Sequence, residues 1–198
     1  MLQGVKGRIA TVAVTAVPDS PVASCADETV VLDFANEQSV VQTRFATTAL
    51  ALLRAHIGDR LESGIADGEA ALASALPAEP SDFQQFVFLG QGWTVGLAYE
   101  AALKLREAAS AWTEAYPAME YRHGPISVAG PRTLVWAIGP VDPGVLADAA
   151  DTGATVVGRG SDPMAELVLI QRTAVELAEA CGLDPDRPKH LTRSVVLP

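Results

Sequence analysis

Cysteine, aromatic residues and long apolar runs are all scarce in this chain of 198 residues. The two cysteines, Cys25 and Cys181, are too few and too far apart for a disulfide framework or a zinc site. No apolar run approaches the ~18 to 20 residues that a membrane helix needs, and the first eight residues lack a signal peptide's apolar stretch. A soluble, cytoplasmic protein is the expectation. Basic residues are also few, with 14 Lys and Arg against 24 Asp and Glu and a formal charge of −10. Residues 1–80 carry 5 basic and 10 acidic groups and residues 81–198 carry 9 and 14, so no arm or tail gathers the charge. Nucleic-acid binding, which depends on clustered Lys and Arg, is thereby disfavoured. What is present is aliphatic. Hydrophobic residues make up 49% of the chain and aromatic ones 6%, so the apolar content rests on Ala, Val and Leu. That composition excludes disorder and favours helices packed closely on a parallel sheet.

The pattern along the chain agrees. Residues 9–14 form a short β-branched run, ended by Pro18 and Pro21, and residues 29–32 form another. Ser39 and Gln42 have the spacing of a capping box for a helix whose face would hold Val41, Phe45, Leu52 and Leu53. Gly58 breaks that helix, and Leu61, Ile65, Leu72 and Leu76 mark the next. Residues 76–81, with Pro77 and Pro80, are the candidate domain boundary. Beyond them strand and helix alternate: a strand at 86–89, a helix at 97–112, a strand at 133–138, a helix at 145–150, a strand at 154–157 and a helix at 165–180. Such a βαβ series predicts a parallel sheet with helices on both faces.

One internal echo stands out. Gly7-Arg-Ile-Ala-Thr-Val12, then Asp19-Ser-Pro21 and Gln42-Thr-Arg44, is followed later by Gly153-Ala-Thr-Val-Val157, Asp162-Pro163 and Gln171-Arg-Thr173. A duplicated sheet domain whose first copy is partial accounts for the echo, and so does chance likeness between two strand–loop–helix segments.

Three places carry candidate chemistry. Gly90-Gln-Gly92, with Gly96 beyond, links a strand to a helix; it is either a tight connection or a turn that aims amides at an anion. The spacing does not fit a dinucleotide fingerprint. Glu100, Lys104 and Glu107 share one face of the following helix, and a solvated face with helix ion pairs is the ordinary meaning of such a trio. His123, before Gly124-Pro125, belongs to a turn rather than a regular element. There Glu120 or Glu107 could pair with it, or a backbone carbonyl could satisfy it. His56, near a helix C-terminus, has only the second kind of reading.

Taken together, Leu89-Gly-Gln-Gly92, Ala98-Tyr-Glu-Ala-Ala-Leu-Lys-Leu-Arg-Glu107, Glu114-Ala-Tyr116, Glu120-Tyr-Arg-His-Gly-Pro125 and the tail from Leu183-Asp-Pro-Asp-Arg-Pro188 to Ser194 resemble the second sugar-isomerase (SIS) domain of phosphosugar isomerases. The likeness is to the isomerase half of glucosamine–fructose-6-phosphate aminotransferase and to amino-sugar phosphate deaminases and isomerases. Residues 7–56, through Glu37-Gln-Ser-Val-Val-Gln-Thr43, resemble the later half of a first SIS domain. The resemblance implies an α/β fold, a flavodoxin-like parallel sheet in a three-layer αβα sandwich. Residues 1–76 would be a truncated first copy and residues 82–198 the second copy with its tail. It implies a homodimer, a sugar phosphate as ligand, and no cofactor or metal.

The resemblance also implies roles. Glu107 would move a proton between the carbonyl carbon and its neighbour through an enediol or enolamine. His123 would assist ring opening from the partner subunit, and Lys104 would hold the charge and orient Glu107. Val17, Ser20, Gly90, Gly92 and Arg193 would meet the substrate. Two departures accompany it. Nothing here matches the family's phosphate-cradling SxSGxT loop, and Arg193 stands where the aminotransferase has its Schiff-base lysine. A guanidinium stays protonated and would clamp an anion instead. A non-catalytic SIS module that binds a phosphosugar or supports a dimer is the alternative.

Overall fold

The computed structural model describes residues 2–192, and the chain parts into two compact units, Met1–Leu61 and Glu62–Pro198. The first unit holds β1 (Val12–Thr15), α1 (Pro21–Cys25), β2 (Glu28–Val31) and α2 (Arg44–His56). β1 and β2 pair in parallel, with Val12 opposite Glu28 and Thr15 opposite Val31. A parallel pair needs a crossover, and α1 supplies a short one. Pro21 presets the first helical turn, while Ser20 Oγ accepts the Ala23 amide at 3.3 Å.

The expected capping box does not form. Ser39 Oγ accepts from the Val41 amide, and α2 begins only at Arg44. The Glu37 carboxylate instead takes the amides of Thr43, Arg44 and Phe45 at 2.8 to 3.2 Å. A full carboxylate facing three orphan amides at the positive end of the helix outcompetes a serine hydroxyl. Burial pushes the Glu37 carboxyl up, but these hydrogen bonds, with one from the Thr43 hydroxyl, outweigh it and hold the group below its ordinary value. At the far end Gly58, with φ +88°, closes α2 as expected, and His56 is its last residue. Of the expected apolar face Val41 is buried, but Leu53 is exposed.

The second unit holds α3 (Glu62–Ala73), β3 (Gln85–Gly90), α4 (Thr94–Ala109), β4 (Trp112–Pro117), β5 (Thr133–Ile138), α5 (Pro143–Asp151), β6 (Thr155–Val157) and α6 (Pro163–Ala180). The sheet runs β4-β3-β5-β6 and every pair is parallel. β4 has no counterpart in the sequence reading, which carried the helix to residue 112. The helix stops at Ala109 because Ser110 turns left-handed (φ 54°) and returns its amide to Arg106 and Leu105. Thr113 and Glu114 separate Trp112 from Ala115 and Tyr116, so no apolar run announces it.

The layers follow from strand alternation. Val87, Leu89 and Val135 face Val145 and Ala149 of α5, along with Ala118 and Tyr121 from a 3-10 turn. On the other face α4 and α6 cross closely, with Ala98, Ala101, Ala102, Ala174 and Ala178 buried. The Ala-rich composition serves this helix-on-helix and helix-on-sheet packing. Trp136 Nε1 donates to Glu166 Oε2 at 2.9 Å, the Ser161 hydroxyl donates to Oε1, and Trp136 and Glu166 are almost fully buried. That network joins β5 to α6 and satisfies a carboxylate that would otherwise be costly to bury.

The proline-rich stretch at 76–81 lies inside this unit. α3 packs on α6: Arg172 Nη1 donates to the carbonyls of Ala71 and Ser74 at 2.7 and 2.6 Å, and the Asp162 amide donates to Asp67 at 2.8 Å. Partners roughly a hundred residues apart are invisible to local pattern. The spacing of Ile65 and Leu72 misplaced the buried face, since both are exposed and Ala71 is buried. Among the described residues no helix is long and apolar enough to cross a membrane.

Candidate active site

α4 is aimed by the turn before it. A Cβ on Gly90 would lie 2.4 Å from the Thr94 carbonyl oxygen, so only glycine lets β3 run into the helix this closely. Thr94 Oγ1 accepts the Gln91 amide at 2.9 Å and donates to the Gln91 carbonyl at 3.0 Å, closing the turn. The amides of Thr94, Val95 and Gly96 turn back to the carbonyls of Gln91, Gly92 and Trp93. Gly90 therefore serves a tight connection. Gly92, at φ +58°, has open space about its α carbon and is the part of the turn that faces outward.

Nearly three turns along the helix, Lys104 Nζ lies 2.6 Å from Glu107 Oε2 and 3.5 Å from Glu100 Oε1. Lys104 is only 5% exposed, whereas Glu107 and Glu100 each keep an edge in solvent. This overturns the reading of a solvated face. Exposed helix ion pairs contribute little, but an ammonium removed from water needs a close counter-charge to persist. Burial lifts the Glu100 carboxyl, the Lys104 ammonium draws it back, and the Glu107 charge lifts it again; the outcome is above its ordinary value. Two bonds fix this stretch of α4 to β4: Thr113 Oγ1 donates to the Ala102 carbonyl at 2.9 Å, and Arg106 Nη1 donates to the Thr113 carbonyl at 3.3 Å. The pair can therefore hold a carboxylate, oriented by a fixed cation, at a partly open surface.

His123 does not lie in an irregular turn. It ends a 3-10 segment, Ala118–His123, and is exposed. The segment is anchored through the two residues before it. Tyr121 is fully buried against Tyr116, with ring centroids 5.9 Å apart, and burial, with the charges of Glu114 and Tyr116, pushes its hydroxyl up to about 12. Arg122 Nε pairs with Asp148 Oδ2 of α5 at 2.6 Å, and its guanidinium fills the space beside Gly144. Among the described residues neither Glu120 nor Glu107 pairs with His123, so the chain does not join it to the Lys104–Glu107 pair.

The remaining candidates are placed as follows. Val17 and Ser20 lie in the first unit, in the loop after β1; Val17 is exposed, and the Ser20 hydroxyl is engaged in capping α1. Arg193 falls outside the described residues. Among the described residues no three His, Cys, Asp or Glu side chains gather as a metal site would require. Sequence reasoning did not find Tyr121 and the Arg122–Asp148 pair as the anchors of the His123 segment. The pair's separation of 26 residues left no local signal.

No family model matches the chain. Among curated proteins, the isomerizing glutamine–fructose-6-phosphate aminotransferase of Nostoc sp. is 31% identical over 160 residues, covering 66% of this chain and 26% of that protein. The one from Thermosynechococcus vestitus is 29% identical over 191 residues, 81% of this chain and 30% of that protein. The chain thus spans about a quarter to a third of the length of these relatives. Among solved structures, glucosamine-6-phosphate deaminase from Thermotoga maritima superposes with a TM-score of 0.80 at 26% identity, over 94% of this chain and 66% of that one. Tagatose-6-phosphate ketose/aldose isomerase from Escherichia coli gives 0.72 at 19% identity, over 93% and 63%, and shares the fold. The resemblance noted from motifs holds in sequence and in architecture.

Proposed function

We propose, from a chain with the sequence and fold of the sugar-isomerase (SIS) family, that it acts on a sugar phosphate as an aldose–ketose isomerase or an amino-sugar phosphate deaminase. One observation carries this reading: the buried Lys104 ammonium, 2.6 Å from the partly open Glu107 carboxylate. Glu107 takes the proton from the carbon beside the carbonyl, leaving an enediol or enolamine, and returns it to the neighbouring carbon. A carboxylate suits the task because one group must both accept and release the same proton. Lys104 holds Glu107 in one orientation and supplies positive charge near the developing oxyanion.

His123, exposed on a rigid segment, acts at the ring oxygen of the sugar held by a second copy of the chain, so the working form is a homodimer, in the cytoplasm. Gly92, on the open side of the turn that Gly90 closes, borders the ligand, and Arg193 clamps its anionic group. In this reading residues 1–76 answer to the later half of a first SIS domain and residues 82–198 to a second.

Turnover of fructose-6-phosphate, glucosamine-6-phosphate and tagatose-6-phosphate, measured beside thermal shift with each, tests the proposal. The expected result is turnover of at least one, abolished in Glu107→Gln with the thermal shift retained. A shift with no turnover by the unaltered chain would make it a binding module instead.

A further inference from the structure

The third charged group on the α4 face, Glu100, has no part in the mechanism above, yet it shares the same cation. Lys104 Nζ stands 2.6 Å from Glu107 and 3.5 Å from Glu100, so one buried ammonium lies between two carboxylates, one a turn before it and one a turn after. The tight ion pair is made with Glu107, and the longer one with Glu100. This asymmetry matters in a proton-transfer cycle. While Glu107 carries the substrate's proton it is neutral, and a buried ammonium without a counter-charge tends to lose its own proton or its place.

Resting on the reading of Glu107 as proton carrier, we infer that Glu100 is a positioning residue: it is the counter-charge that Lys104 retains whenever Glu107 is protonated. The ammonium then stays charged and fixed while the proton passes from one carbon to the next.

The surroundings leave this role to Glu100. β3 and β5 carry no titratable side chain. On β4, Glu114 is held by Gln85 and Trp112, and Tyr116 packs on Tyr121. On α6, Glu166 is taken by Trp136 and Ser161, and Arg172 by the carbonyls at the end of α3 and by Glu176. Glu176 and Glu179 are exposed. On α4 itself Tyr99 is exposed and Arg106 is bonded to Thr113. Glu100 therefore keeps the longer of the two ion pairs to Lys104, and burial, set against the pull of that ammonium, leaves its carboxyl above the ordinary value.

The test follows the titration of Glu107 by carbon-13 NMR of carboxyl-labelled glutamate in the full chain, its signal assigned by its loss in Glu107→Gln. In Glu100→Gln the Glu107 midpoint is expected to move down, because removing a negative charge leaves Lys104 to Glu107 alone. The acid limb of the pH–rate profile moves the same way, kcat falls several-fold with KM nearly unchanged, and Glu100→Asp recovers part of both. An unmoved Glu107 midpoint in Glu100→Gln, with Glu107→Gln inactive, overturns the inference alone. Full turnover in Glu107→Gln overturns the reading of Glu107 itself and is seen without any Glu100 variant.

Discussion

In the second unit β3 and β5 are buried almost throughout, whereas in the first unit every residue of β2 is exposed. The second unit is built on side-chain burial, with Phe86, Phe88, Leu134, Trp136 and Ile138 nearly lost to solvent. The first has few buried side chains and is pinned by polar bonds: Asp27 to Thr11, Glu37 to the start of α2, and Arg54 to Asp59. Burial gives many weak, non-directional contacts that resist single losses poorly when a large group is removed. Polar pins are few and directional, and each is lost whole when one partner is removed. The candidate chemistry sits where the two kinds of bond meet, a buried ammonium on a helix otherwise packed through alanine.

The contrast can be tested from its strongest side. Trp136→Ala should cost about 3 to 5 kcal/mol, since it removes a large buried ring and leaves Glu166 Oε2 without its donor. All three tryptophans lie in the second unit, so the fluorescence of the remaining two reports its denaturant unfolding. Gly90→Ala should cost about 1 to 3 kcal/mol, because the atoms in its way are backbone and the start of α4 must shift. Turnover should fall with it, since α4 carries Lys104 and Glu107.

In the first unit, Glu37→Gln should cost about 1 kcal/mol near neutral pH, the worth of a helix cap. Its sign with pH is fixed by the lowered carboxyl. The stabilisation is complete above the ordinary value of 4.5 and is lost as pH falls through the lower folded value, so the variant should lack that acid-dependent loss. Urea midpoints for both proteins on either side of that pH check it. Asp27→Asn, at a fully exposed carboxylate, should change the midpoint least of all. A Glu37 effect larger than that of Trp136 would break the contrast between the units.

Much of this was legible in the chain itself. The five strands read from the sequence became β1, β2, β3, β5 and β6, and the glycine turn did join a strand to α4. The face shared by Glu100, Lys104 and Glu107 follows from helical spacing alone. What escaped depended on partners distant in sequence. The bonds of Arg172 and Asp162 that tie α3 to α6 left no local signal, β4 holds no continuous apolar run, and the cap of α2 comes from Glu37 rather than the nearer Ser39. The burial of Lys104, which changes the meaning of its ion pair, needed α4 docked on β4 and α6 before it could be seen.

The central claim is that Glu107 moves a carbon-bound proton. Sugar phosphates incubated with the full chain in deuterium oxide, and followed by proton NMR, test it most directly. The account predicts deuterium wash-in at the carbon beside the carbonyl with the unaltered chain and none with Glu107→Gln. Undiminished exchange in Glu107→Gln would contradict it.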